Sequence, residues 1–284
     1  MTESQFTDIG GVPGSLTQTG ITLKYTFLDY FRSRRFYILL SITLLISALL
    51  TVLVGYYRPA SFLSSDLSFY SSWWGNSVTY IVILSGIFFG GDAISGEFQN
   101  KTGYFIIPNP VRRSSVYIGK WLAAFIASSV ILMLFTAITL SNGLYYFGLN
   151  IPYQFFESVL FAWFYLAGVM GFTFFFSSLF KSGSYSILVT AILFLFAFTL
   201  VQTLVSSLVQ IEPWFLVTYG AEIIGNVLKS PYPAHVSTAS FGPGGGTTFT
   251  VYNATIPEGL AIIAVYCVAT AVLGLILFER KEFN

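Results

Sequence analysis

The stretch Tyr185–Val209 reads YSILVTAILFLFAFTLVQTLVSSLV and carries no charged residue, no proline and no glycine. About 20 apolar residues in helical form cross a hydrocarbon core about 30 Å thick, and this stretch is long enough to do so. It lacks the apolar/polar alternation over about 10 residues that marks a strand of a membrane barrel. A membrane-spanning helix is therefore expected here. Five other stretches read the same way: Phe36–Tyr56, Ser77–Gly90 (short as written, extending towards Ile94), Val116–Leu140, Phe155–Phe180 and Gly259–Phe278.

Composition agrees with this reading. The 284 residues are 55% hydrophobic, 19% aromatic and only 9% charged, with a mean hydropathy of +0.75. Soluble domains carry roughly 25% charged residues, so a soluble enzyme and a disordered chain are excluded. The net charge of +1 argues against a nucleic-acid partner. The expected fold is an all-α polytopic membrane protein with six transmembrane helices in the lipid bilayer.

Lys and Arg set the orientation. With both termini cytoplasmic, 11 of the 13 basic residues fall inside, and only Arg58 and Lys229 fall outside. Residues 1–20 lack the basic-then-apolar order of a signal peptide and are expected to form a flexible cytoplasmic tail. The remainder, 21–284, reads as one transmembrane domain. The connection Tyr57–Asn76 is expected outside, with Trp73 and Trp74 at headgroup level. The loop from 210 to 258 is extracellular. Its first half has helical apolar spacing (Phe215, Tyr219, Ile223, Val227), and its second half is rich in Pro, Gly, Ser and Thr around Gly242–Gly246.

Before the first span, residues 21–35 form an imperfect amphipathic helix expected to lie in the cytoplasmic interface. Leu23, Phe27, Tyr30 and Phe31 share one arc, and Lys24, Arg32 and Arg35 lie towards the other. Leu28 and Arg34 break the pattern.

No catalytic constellation is visible. The only Gly-Lys pair, Gly119-Lys120, precedes Trp121 and belongs to no phosphate-binding P-loop. Cys267 and His235 are each the sole residue of their type, so no metal site and no cofactor on this chain are expected, and His235 reads as solvent-exposed. Asp92 and Glu157 fall at helix ends, which places no carboxylate mid-membrane and argues against an ion-coupled carrier. The chain is not expected to be an enzyme. Any work it does draws on energy from another protein.

The most charged connection, 91–115, carries the specific information. Asp92 is positioned to cap a short helix in which Glu97 and Lys101 form an i,i+4 pair. Ser114 is positioned to cap the third span. The order Glu97, Thr102-Gly103, an apolar run, Pro110, Arg113 and Gly119-Lys120 resembles the cytoplasmic loop of ABC-2 type transporter permeases, whose fold is type V exporter-like. The six helices, the amphipathic N-terminal segment and the long outer loop fit the same family.

The resemblance implies a coupling helix in the 91–115 loop that docks on a separate ABC ATPase subunit, with ATP and Mg bound there. Glu97, Phe98, Lys101, Pro110, Arg112 and Arg113 are the coupling candidates. It also implies a homodimer, formed with a second permease chain, in the cell (plasma) membrane. In that arrangement helices two and five line an export path for a hydrophobic or amphipathic substrate. Tyr80, Ser85, Phe88, Phe89, Phe194, Phe198 and Gln202 are the path candidates. Asn253, in Asn253-Ala254-Thr255, is a possible glycosylation site on the outer side. The alternatives are an ATPase-independent channel or scaffold, and a lipid-acting membrane transferase for which no acidic or metal cluster is visible.

Overall fold

The computed structural model describes residues 14–101, 111–241 and 247–281. Six helices among them are long and apolar enough to cross a membrane: Arg34–Tyr57, Asp66–Gln99, Arg113–Phe147, Tyr153–Leu179, Gly183–Val209 and Ile256–Arg280. Each coincides with one of the stretches expected from the sequence, the fourth ending one residue short of the expected Phe180. In chain order, the elements are α1 (Ser15–Arg32), α2 (Arg34–Tyr57), α3 (Ala60–Leu63), α4 (Asp66–Tyr70), α5 (Asn76–Gly90), α6 (Ser95–Gln99), α7 (Arg113–Phe147), α8 (Tyr153–Leu179), α9 (Gly183–Ile192), α10 (Phe198–Leu204), α11 (Val217–Ala221), α12 (Ile223–Asn226), β1 (Val236–Phe241), β2 (Thr247–Tyr252) and α13 (Ile256–Arg280).

The second span begins earlier than expected. Ser65 and Ser68 form a capping box that starts α4, and a π-helical turn, Ser71–Gly75, joins it to α5. Trp73 and Trp74 therefore lie inside the bundle, fully buried against protein, and not in an exposed loop. Trp74 donates from Nε1 to Ser158 Oγ at 2.9 Å and stacks on Phe135 with centroids 5.5 Å apart. The Trp74 indole N–H thus finds a partner on the fourth span, as buried polar groups usually do, whereas the Trp73 N–H is buried without one.

α1 begins at Ser15, inside the segment expected to be a flexible tail, and ends at Arg32. Ser33 is extended and its Oγ accepts from Phe36 N, which separates α1 from the first span. The face that α1 turns to the bundle carries Gln18, Thr22, Thr26 and Tyr30, with Leu23 and Phe27 at its margin. Its outer face is a stripe of exposed Ile21, Tyr25 and Leu28 beside Lys24 and Arg32. Leu28, which breaks the arc read from the sequence, belongs to this outer stripe. The small polar face packs on α7, and the apolar-plus-basic face is the one suited to lipid.

Close packing depends on glycine at two contacts. A Cβ on Gly86 would stand 2.4 Å from Val169 Cγ1, so α5 and α8 approach through that gap. A Cβ on Gly119 would stand 2.9 Å from Thr19 O and 2.8 Å from Thr22 Cβ, so α1 rests directly on the α7 backbone. Small residues at helix contacts serve this purpose in membranes. The second span is the most enclosed of the six and the fifth the least. The fifth carries an exposed apolar line along its length: Tyr185, Leu188, Ile192, Phe196, Leu200, Leu204 and Leu208.

The long connection after the fifth span is not all helix and loop. Its first half is two short helices, α11 and α12, with Tyr219, Ile223 and Val227 buried and Gly220 against Gly259 and Ile262 of α13. Its second half is an antiparallel hairpin that pairs Val236 with Tyr252 and Phe241 with Thr247. The β-branched residues of Thr247–Tyr252 favour extended backbone. The fold is consistent with the expected all-α polytopic class, with one small β-hairpin among the described residues, in the connection after the fifth span.

Gly119→Ala is expected to lower stability by about 1–3 kcal/mol, because the added methyl meets the α1 backbone. Gly20→Ala, where an added Cβ meets nothing within 4 Å, is expected to be stabilising by about 0.5–1 kcal/mol. Melting temperatures of the detergent-purified chain compare the two.

Candidate functional site

The segment after α5, residues 92–99 at the end of the second span, is bonded or packed at one end of the bundle against each of the other spans. Ser177 Oγ of α8 accepts from Ile94 N at 2.9 Å and Ser95 N at 3.0 Å. These are two of the orphan N–H groups that a helix start leaves unpaired. Lys120 of α7 pairs with Glu97 and donates to Ala93 O at 2.9 Å. Arg35 of α2 pairs with Asp92. Gln99 Oε1 accepts from Gly183 N, the first residue of α9, at 2.7 Å. Phe98 meets Phe278 of α13 edge-on, with centroids 6.5 Å apart.

The C-terminal residues close the same end. Lys281 Nζ lies 4.2 Å above the Phe98 ring and donates to Ser178 O and Phe180 O at 2.9 and 2.7 Å. Burial, helped by the charge of Lys181, pushes the Lys281 ammonium down to about 8. Arg113 donates to Glu279 O and Lys281 O at 2.9 and 3.0 Å. Arg112 N donates to Gln18 Oε1 at 3.0 Å, which ties the start of α7 to α1.

Several local expectations change. α6 ends at Gln99, and Lys101 has left-handed backbone (φ 57), so Glu97 and Lys101 are not stacked on one helix face; the partner of Glu97 is Lys120. Asp92 does not cap α6, whose N-cap position is Ile94, and it pairs with Arg35 instead. Arg112, not Ser114, occupies the N-cap of α7, without a side-chain cap. Of the six coupling candidates, Glu97, Phe98 and Arg113 bind elements of this chain, Lys101 and Arg112 are exposed, and Pro110 lies outside the described residues, as do Thr102 and Gly103. Sequence reading missed Ser177, Gln99 and Lys281. Serine, glutamine and a terminal lysine carry no motif signal, and their roles arise only from proximity.

The opposite end holds a cavity of about 350 Å³ between the second span and α11–α12, lined by residues that include Asn76, Thr79, Tyr80, Thr218, Glu222 and Lys229. Glu222 accepts from Gln202 Nε2 at 2.5 Å, and Gln202 Oε1 accepts from Thr218 at 3.0 Å. Burial pushes the Glu222 carboxyl up to about 7 against the opposing hydrogen bonds and the charge of Lys229. Glu222 was not among the expected site residues, because it lies in a stretch read as outer loop.

The path candidates separate into two groups. Tyr80 is exposed at the cavity, and Gln202 reaches Glu222 there. Ser85 and Phe89 are buried, Ser85 bonded to Ile81 O and Phe89 packed on Tyr30 and Phe36. Phe194 is buried against Phe172, and Phe198 packs on both. Phe88 is half-buried against the core. Asn253 uses its side-chain amide to bond Ala234 O and Ser237 Oγ at 2.9 and 3.3 Å, so a glycan on that nitrogen, which leaves one N–H, would have to displace at least one of these bonds.

Six apolar spans, with a short helix packed at one end of them, define a polytopic α-helical membrane protein. The chain belongs to the ABC-2 transporter family: the family described as ABC-2 family transporter protein matches residues 21–283. It is thus a transporter membrane domain, a permease. No curated protein matches the chain.

Because the Glu222 carboxyl is raised from 4.5 to about 7, the folded state holds a proton that the unfolded chain releases between these values. The associated stability is fully present below pH 4.5 and is lost as pH rises through 7. Wild-type melting temperature is expected to fall between pH 5 and pH 8.5. Glu222→Gln, which cannot ionise, is expected to flatten that fall and to match or exceed wild type at pH 8.5.

Proposed function

We propose that this chain forms half of an export pathway and couples to a separate ABC ATPase through the 91–101 turn. The observation that carries the reading is that the 92–99 segment, Asp92 followed by α6, is bonded or packed to each of the other five spans. A push on so short a segment is transmitted to α2, α7, α8, α9 and α13 together. A partner can bias a transition only by favouring one packing over the other, and a node shared by all spans is where a small contact does this most directly.

In this reading the basic end is cytoplasmic, with both termini inside, and the protein sits in the cell membrane. Glu97, Phe98 and Arg113 position the turn. Exposed Lys101, Asn100 and Arg112 present it to the ATPase, which holds the ATP and Mg. A second copy of the chain completes the path, and the exposed apolar line of the fifth span supports an intramembrane contact. The cavity at Tyr80 and Glu222 combines an aromatic rim with a buried acid, which suits an amphipathic substrate leaving at the outer face.

The test is recovery of a P-loop ATPase from native membranes with the tagged chain. Wild type is expected to recover it. Lys101→Glu combined with Arg112→Glu is expected to lose it with no change in melting temperature, since both side chains are exposed. Glu97→Gln is expected to lower the melting temperature, because it leaves Lys120 without a charged partner. Absence of any ATPase with the wild-type chain would sink the coupling reading.

A further inference from the structure

At the end of the bundle opposite α6, three segments bring potential metal ligands together. Glu212 follows the fifth span, His235 precedes β1, and Glu258 lies in the first turn of α13. One ligand atom from each lies within 4.8 Å of the others. The grouping involves the only histidine in the chain.

The histidine is oriented by a group outside the cluster. His235 Nδ1 lies 3.0 Å from Asn253 O, and Asn253 N donates to His235 O at 2.8 Å. A carbonyl only accepts, so Nδ1 carries a proton, and Nε2 faces Glu212 Oε2 at 3.5 Å. With Nδ1 as the protonated nitrogen of a neutral ring, two acceptors are turned towards each other, an arrangement that a metal cation, or a proton on Nε2, completes. The separation is long for a hydrogen bond. It is close to the distance of about 3.3 Å between two ligands that each sit about 2.0–2.1 Å from a tetrahedral Zn²⁺. An imidazole fixed through its other nitrogen by a backbone carbonyl is also how a metal-bound histidine is held.

The carboxylates are held as well. Glu212 Oε1 accepts from Tyr219 at 2.7 Å, which aims Oε2 at the ring. Glu258 Oε2 accepts from Thr255 N at 3.2 Å. An ionised carboxylate has about four lone-pair sites, so this cap and a cation are compatible.

We propose that Glu212, His235 and Glu258 bind one divalent transition-metal ion of the Zn²⁺ class, with the fourth position open to water. Nitrogen plus carboxylate oxygen is a donor set that zinc accepts. The ion ties the exit of the fifth span, the hairpin and the start of the sixth span together, so it fixes the outer connection on the bundle. The proposal does not depend on the ATPase coupling.

The full chain, purified in detergent without a polyhistidine tag and stripped with chelator, is titrated with Zn²⁺ by calorimetry and then loaded with Co²⁺. One Zn²⁺ per chain is expected, with a rise in melting temperature and visible Co²⁺ absorption bands of a four-coordinate site. His235→Asn and Glu258→Gln are each expected to weaken Zn²⁺ binding at least tenfold. Their metal-free melting temperatures report whether they are folded. Substoichiometric binding, or binding that His235→Asn and Glu258→Gln both leave unchanged, overturns the proposal and leaves a proton as the cation of the cluster.

Discussion

The ion pair between Glu97 and Lys120, with Lys120 also bonded to Ala93 O, is the constraint on which the base of the bundle depends. It joins the connection after the second span to the start of the third. Lys120 is largely buried there, and a buried charge without its partner costs several kcal/mol. The two groups are therefore bound to move together. Gly119, one residue before, lets α1 rest on the same turn of α7. The adjacent Gly-Lys pair does two jobs: the glycine admits a helix, and the lysine holds a connection.

Around this pair the other contacts fall into a sequence of shells. Ser177 takes the start of α6, Gln99 takes the start of the fifth span, and Lys281 closes over Phe98. None of these bonds is strong alone, since a typical hydrogen bond contributes about 0.5–1.5 kcal/mol. Together they tie α6 to several spans at once. The opposite end is built differently. Two short helices, a hairpin and the ends of three spans meet through polar side chains around Glu222 and around Glu212, His235 and Glu258. One end is tied together through one short segment, and the other is an assembly of separate pieces joined by polar and titratable groups.

Trp73, Trp74 and α1 show how local reading fails in a membrane protein. A serine-rich stretch next to tryptophans reads as an interfacial loop, because serine caps and serine loops look alike in sequence. The Ser65–Ser68 capping box made it a helix, and Ser158 supplied the indole with a partner. In α1 the apolar arc read from a helical wheel was only part of the pattern. Threonines face α7 where backbones approach closely, and Ile21, Tyr25 and Leu28 face outwards. Water-soluble patterning puts apolar residues inside, whereas lipid removes that rule and leaves small residues at the contacts.

The sequence by itself determined the six spans, since length and apolarity are local properties that the bilayer enforces one helix at a time. It also determined the family, through Glu97, Arg113 and Gly119-Lys120, which hold places in a fixed order. Only the tertiary structure decided what those residues touch. Glu97 lies 23 positions from Lys120, Arg113 reaches the chain end 166 positions away, and Glu212, His235 and Glu258 come from three separate segments. Pairings across such distances depend on how helices cross and how deep they are buried, and neither leaves a periodic trace in one strand of sequence. The raised Glu222 carboxyl belongs to the same class, because burial is a property of neighbours and not of the residue.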